Sequence, residues 1–190
     1  MKFYTLNCLF YLDVVGYHSM QKAKRLFVAS LFGSILFVTR AFVPSPIDKI
    51  LIVVDAVLLA LGALFIQKVG ATHVSAVGGI LLGLWRPTFL PFSLFFTLLY
   101  GMIVDGFFSI FKIRVDGGEV SRNRLMAAMA LSTLIIAFLS YYITALGLYV
   151  IPANPVLDML VSFMGPVSGA VAGYAVAYLW NGYLKNISLA

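Results

Sequence analysis

Long apolar runs dominate the chain, broken at short intervals by proline, glycine or charge. A membrane-crossing helix needs roughly 20 mostly apolar residues, and the pattern predicts six such spans. Span one covers 25–43 and is ended by Pro44 and Pro46; span two covers 47–67; span three covers 70–85. Span four covers 87–111, span five 125–151, and span six 154–183, with Pro155 near its first turn and Pro166 inside it. The longest polar stretch, 112–124, carries a Gly117-Gly118 turn signal. Span three is short and glycine-rich, so full crossing and a re-entrant hairpin both fit it. The period-two alternation of barrel strands is missing from these uninterrupted runs. The expected fold is therefore an all-α integral membrane protein, a compact bundle of six transmembrane helices.

The first 19 residues fit less neatly. They include Phe3, Tyr4, Leu9, Phe10, Tyr11, Val14 and Val15, but also Asp13, and they lack the small-residue cleavage site of a signal peptide. The expectation is an interfacial tail or an over-extended start at 1–19, followed by a transmembrane domain over 20–190.

Composition agrees with the pattern. Of 190 residues, 62% are hydrophobic and 11% charged, against about a quarter charged in soluble domains. A water-soluble globule of this size cannot hide so much apolar surface. The single cysteine, Cys8, excludes an internal disulfide and a cysteine-based metal cluster.

Charge adds an orientation. With the N-terminus inside, the inner loops hold Lys2, Lys22, Lys24, Arg25, Lys68, Lys112, Arg114, Arg122, Arg124 and Lys185. The outer side holds Arg40, Lys49 and Arg86. Ten against three satisfies the positive-inside rule and puts both termini in the cytoplasm. The net charge of +6 then reflects topology and anionic inner-leaflet lipid rather than nucleic acid. The expected location is the cell membrane, crossed several times.

Polar groups gather toward the outer leaflet. Arg40 lies near the outer end of span one, Asp48 and Lys49 open span two, and Arg86 stands between spans three and four beside Trp85. Tyr141, Tyr142 and Tyr149 lie in the outer half of span five, and Asn154 and Asp158 open span six. Helix ends routinely hold such groups as interfacial anchors. Asp55 is different: its side chain is short and it sits about 12 Å into span two by helical rise, so a buried pair or a ligand contact is expected. The functional reading of the cluster is an outward-opening site for a small polar ligand. Arg40 and Arg86 would hold anionic or carbonyl groups, Asp48, Asp55, Asn154 and Asp158 would supply polar partners, and Tyr141 and Tyr142 would stack on a ring. On the inner side, His73 reads as a water-facing helix-terminal residue, and Asp105 as a partner for Lys112 or Arg114.

A steric pattern accompanies the polar one. Gly165, Gly169, Gly173 and Ala177 recur at i+4 in span six, a face on which another helix can approach closely. Ala29 and Gly33 repeat the spacing in span one, with Ser30 and Ser34 alongside. Internal packing and docking on a further membrane subunit are both open for such a face. No paired-histidine metal motif, nucleophile elbow or phosphate-binding loop is present. No enzyme activity, cofactor or metal is expected, and energy for pumping would come from an ion gradient or from partners.

The first span, from Lys24-Arg25-Leu26-Phe27 through Ala29 to Gly33-Ser34, resembles the opening helix of the substrate-binding S component of energy-coupling-factor vitamin transporters. The segment from Gly70-Ala71 through Gly78-Gly79, with Pro87, Gly101 and Asp105-Gly106-Phe107, is similar to the third and fourth spans of the thiamine-precursor type. The resemblance covers residues 20–185. It implies a subunit that captures a vitamin or precursor near the outer face, docks on a transmembrane coupling subunit through its first helix, and topples in the membrane. Two partner ATPases would supply the energy. Ala29 and Gly33 match the family's Ala-x-x-x-Ala docking positions, the second departing from Ala. A self-contained secondary transporter or channel, and a non-transporting membrane scaffold or assembly protein, are the alternatives. The first calls for an inverted repeat and a deep midplane ionisable site, neither of which the chain displays.

Overall fold

The computed structural model describes residues 3–42, 52–67, 69–85, 90–113, 119–143 and 155–185. Side chains at 3–22, 90, 91, 93, 155–158 and 160 fall outside that description. The described elements are all helical: α1 (Phe3–Phe42), α2 (Ile52–Ile66), α3 (Gly70–Trp85), α4 (Leu90–Ile110), α5 (Arg122–Tyr142) and α6 (Pro155–Leu179), the last continued by a π turn over Trp180–Leu184. Three stretches are long and apolar enough to cross a membrane: Ala23–Phe42, Arg122–Tyr142 and Val161–Leu184. The apolar helices Ile52–Ile66 and Gly70–Trp85 are shorter, and α4 is apolar over its described stretch Leu94–Ile110.

The segment expected as a separate tail is helical from Phe3 and continuous with span one. The junction Gln21-Lys22-Ala23-Lys24-Arg25 contains strong helix formers and no glycine or proline, so nothing stops the helix there. A helix of this length spans about 60 Å, twice the ~30 Å apolar core of a bilayer. The part with membrane-like composition is its C-terminal half.

Helix directions follow from the contacts. Arg40 meets Asp55 and Phe32 meets Phe65, so α1 and α2 are antiparallel. Gly33 faces Val77 and Phe37 packs edge-on against Trp85, so α1 and α3 are parallel. Gly79 faces Thr97 while Gly101 faces Ser75, which sets α4 antiparallel to α3. Gly165 faces Ala137 and Gly173 faces Met126, so α5 and α6 are antiparallel. Successive packing of α1, α3, α4, α5 and α6 forms an arc, and α2 fills its interior. Ten of the fifteen residues of α2 are buried, in keeping with a helix that is apolar all round.

The outer surface is apolar as well. Leu26, Phe27, Leu31, Ile35 and Val38 of α1 and Phe163, Met164, Val167 and Val171 of α6 are exposed. A soluble monomer rarely leaves contiguous apolar surface of this extent in water. Pro166 is accommodated inside α6. Its missing N–H frees a carbonyl one turn earlier, and nearby the Gly165 carbonyl accepts from both the Thr133 and Ser168 hydroxyls at 2.8 Å.

Candidate functional site

Three helices bring polar side chains together at one end of the bundle. Arg40, in the last turn of α1, donates through Nε to Asp55 Oδ2 at 2.6 Å. Asp55 stands in the first turn of α2 and is 3% exposed. Its other oxygen, at 3.1 Å, shares the Thr39 hydroxyl proton with the Leu36 carbonyl at 2.9 Å. Arg40 also donates through Nη1 to Thr97 Oγ1 of α4 at 3.2 Å. The carboxylate is sealed in and the guanidinium is about one-third exposed, at 33%. Buried charges are costly unless paired and hydrogen-bonded, and both oxygens of Asp55 meet that condition. The expected buried partner of Asp55 is therefore Arg40.

Tyr100 completes the group. It lies three residues after Thr97, on the same face of α4 and one turn farther along. The residue is 4% exposed, and its hydroxyl is buried without a hydrogen-bond partner. Both Asp55 and Arg40 act on it electrostatically. Thr39, Thr97 and Tyr100 were not singled out from sequence. The available signal was the Thr97/Tyr100 pair at i, i+3 within the outer half of an otherwise apolar run.

Of the other expected ligand residues, two have described side chains. Tyr141 is buried and Tyr142 exposed; their rings meet edge to face at 5.5 Å, and Tyr142 stacks on Phe138. They lie on α5, which packs on α6 and on α4, the helix that carries Thr97 and Tyr100. Asp48, Arg86 and Asn154 lie outside the described residues, as does the side chain of Asp158 in the first turn of α6.

The small-residue rows have defined neighbours. Ala29 and Gly33 are buried, and a Cβ at Gly33 would stand 2.7 Å from Val77 Cβ and 3.0 Å from the Val74 carbonyl oxygen. Gly33 faces α3 within the chain and Ala29 is buried beside it, so the row expected to dock a partner is covered internally. Ser30 and Ser34, one position on, are exposed. Gly165, Gly169 and Gly173 face α5, and Ala177 is fully buried.

The opposite end of the bundle carries a second set of polar contacts. Asp105, near the end of α4, accepts from the backbone N–H groups of Ala71 and Thr72 at 3.1 and 2.8 Å and from Thr72 Oγ1 at 2.6 Å. Its carboxylate thus caps α3, whose first N–H groups have no intrahelical acceptor. This capping role was not expected from sequence; of the expected partners, Lys112 is exposed and Arg114 lies outside the described residues. Exposed His73 places Nδ1 2.6 Å from the Val69 carbonyl oxygen. Asn181 exchanges two hydrogen bonds with the Val120 backbone, and Lys185 pairs with Glu119 at 3.3 Å. Exposed Lys24, Arg25, Lys112, Arg122 and Arg124 also lie at this end. Among the described residues no three His, Cys, Asp or Glu side chains group as a metal site would require.

Among the described residues, fold and site together define an all-helical protein with three helices of membrane-crossing length and composition. Comparison with known proteins returns no matching family model, curated protein or solved structure.

Proposed function

We propose that this chain is the membrane-embedded substrate-capture subunit of an energy-coupling-factor type importer for a vitamin or vitamin precursor. In this reading all six helices span the membrane, the short ones packed among the long ones. Both termini are cytoplasmic, and the host membrane is the cell membrane. The observation that carries the proposal is the Arg40–Asp55–Thr97 cluster, a charged group inside an apolar bundle at the end opposite the basic residues. A carboxylate buried in an apolar bundle is costly, and such groups mark ligand or ion sites. Basic residues gathered at the other end support cytoplasmic placement of that end.

Docking on a transmembrane coupling subunit, and through it on two ATPases, falls to the exposed face of α1. Ser30 and Ser34 lie there at i, i+4 beside Leu31 and Ile35, a spacing that lets a second helix approach closely. The chain itself hydrolyses nothing; ATP is consumed by the partners.

The test is reconstitution. The chain is co-expressed with a coupling subunit and two ATPases, purified as a complex, and assayed in liposomes for ATP-dependent uptake of a panel of labelled vitamins. Small molecules that co-purify with the chain are identified in parallel by mass spectrometry. ATP-dependent accumulation by the complex is expected. Ion-driven uptake by the purified chain alone would overturn the reading in favour of a self-contained transporter.

A further inference from the structure

Arg40 has more hydrogen-bonding capacity than its partners use. A guanidinium offers five N–H donors and no acceptor. Nε engages Asp55 and one Nη1 donor engages Thr97, which leaves three donors without a recorded protein acceptor on a side chain 33% exposed. Each oxygen of Asp55 is engaged by a protein donor, and the carboxylate is 4% exposed, so its remaining lone pairs are turned away from the surface. The Tyr100 hydroxyl, on the face of α4 that carries Thr97, is buried and unpartnered. A buried hydroxyl left without a partner costs about 1–3 kcal/mol, so an acceptor brought to it is favoured by that amount. The local balance is rich in donors and poor in free acceptors.

We infer that Arg40 and Tyr100 form a donor pocket that binds a carboxylate or carbonyl oxygen of the ligand, with Thr97 and Asp55 holding the guanidinium in place. This deepens the ligand-capture reading and rests on it. Asp55 sets the direction of selectivity. Its charge is neutralised by Arg40 through a direct ion pair, so it offers little to a cationic ligand. A cation brought beside the guanidinium would meet repulsion, whereas an acceptor oxygen completes the bonding of both Arg40 and Tyr100. Tyr100 is thus a specificity-determining residue: it distinguishes a ligand that carries an acceptor oxygen from an isostere that lacks one.

The experiment uses the full-length chain in lipid nanodiscs and isotope-labelled acetate, a carboxylate small enough that ligand shape does not exclude it. Saturable line broadening of acetate is measured, with methylammonium as the cationic control. Wild-type protein is expected to broaden acetate saturably and methylammonium not at all. Tyr100→Phe, which removes the hydroxyl and keeps the ring, is expected to weaken acetate binding about tenfold, the loss of one hydrogen bond to a charged group. Arg122→Gln, at the other end of the bundle, is expected to change nothing and reports adventitious surface binding. The absence of saturable binding, equal binding by Tyr100→Phe, or a loss in Arg122→Gln as large as in Tyr100→Phe overturns the pocket, leaving Tyr100 a water partner. Failure of the chain to assemble with a coupling subunit, with the acetate result intact, removes the importer reading and leaves the pocket standing.

Discussion

Arg40 Nε and Asp55 Oδ2 lie 2.6 Å apart, joining the last turn of α1 to the first turn of α2. The two partners are unequal: Asp55 is sealed in the bundle and Arg40 reaches toward the surface. Loss of either side chain therefore has a different consequence. Arg40→Gln strands a buried carboxylate and is expected to cost about 3–5 kcal/mol. Asp55→Asn leaves a guanidinium that can snorkel outward, and is expected to cost less. The apolar double replacement Arg40→Met with Asp55→Val is expected to recover most of the loss, since a well-packed apolar pair is often neutral relative to a buried ion pair. Thermal unfolding of the three variants in nanodiscs gives the order. A double replacement less stable than Arg40→Gln contradicts this account.

Gly33 and Ser34 separate folding from docking. Gly33→Leu forces a side chain against Val77 and the Val74 carbonyl, and overpacking of this kind typically costs about 1–3 kcal/mol. A lowered unfolding midpoint is expected for Gly33→Leu even with no partner present. Ser30→Leu with Ser34→Leu changes exposed positions, where stability usually moves by less than about 0.5 kcal/mol. That pair is expected to abolish co-purification with the coupling subunit while sparing the fold. Survival of the complex removes this face of α1 as the dock.

Gly169 is the tightest point of the α5–α6 contact. A Cβ there would run into Thr133 Oγ1 and the Met129 carbonyl, and the Thr133 hydroxyl is already bonded to the Gly165 carbonyl. Gly169→Val is expected to push the helices apart and to destabilise the protein by about 1–3 kcal/mol. Gly182, with open space around it, is the control, and Gly182→Ala should unfold at the wild-type temperature.

Asp105 ties the end of α4 to the start of α3 through three hydrogen bonds. Asp105→Ala is expected to cost about 1–3 kcal/mol, with Asp105→Asn intermediate because one acceptor oxygen remains. Hydrogen exchange at the Ala71 and Thr72 amides is the local readout. Unchanged protection at both amides in Asp105→Ala would show that water replaces the carboxylate without loss.

Much of the fold was legible along the chain, and the reasons are visible in particular elements. Span three, read as 70–85, coincides with α3, because Gly70 begins a run that Arg86 and Pro87 end. Span five, read as 125–151, starts within α5 (Arg122–Tyr142), and its last residues, 144–151, lie outside the described residues. Residues 1–19 were set apart because Asp13 and the polar group at 18–25 look like a boundary; α1 is helical from Phe3, and strong helix formers at 21–25 carry it into span one. At the site, depth alone marked Asp55 as needing a partner. Ala29 and Gly33 illustrate the opposite case, since the same small-residue spacing serves an internal face or an external one.

By itself, the sequence determined the environment and the inventory. Apolar runs of helical length, scarce charge and an uneven distribution of bases follow from the free energy of placing each residue in lipid or water, which depends on local composition. Which helix faces which is a long-range property. That Arg40 closes on Asp55, that Thr97 and Tyr100 join them from α4, and that Gly33 is consumed by Val77 depend on the angular position of each side chain and on which neighbour fills the adjacent groove. One rotation of α1 would exchange the buried row of Ala29 and Gly33 for the row of Ser30 and Ser34. Packing of α1 on α2 and α3 made that choice, and with it decided which polar groups meet.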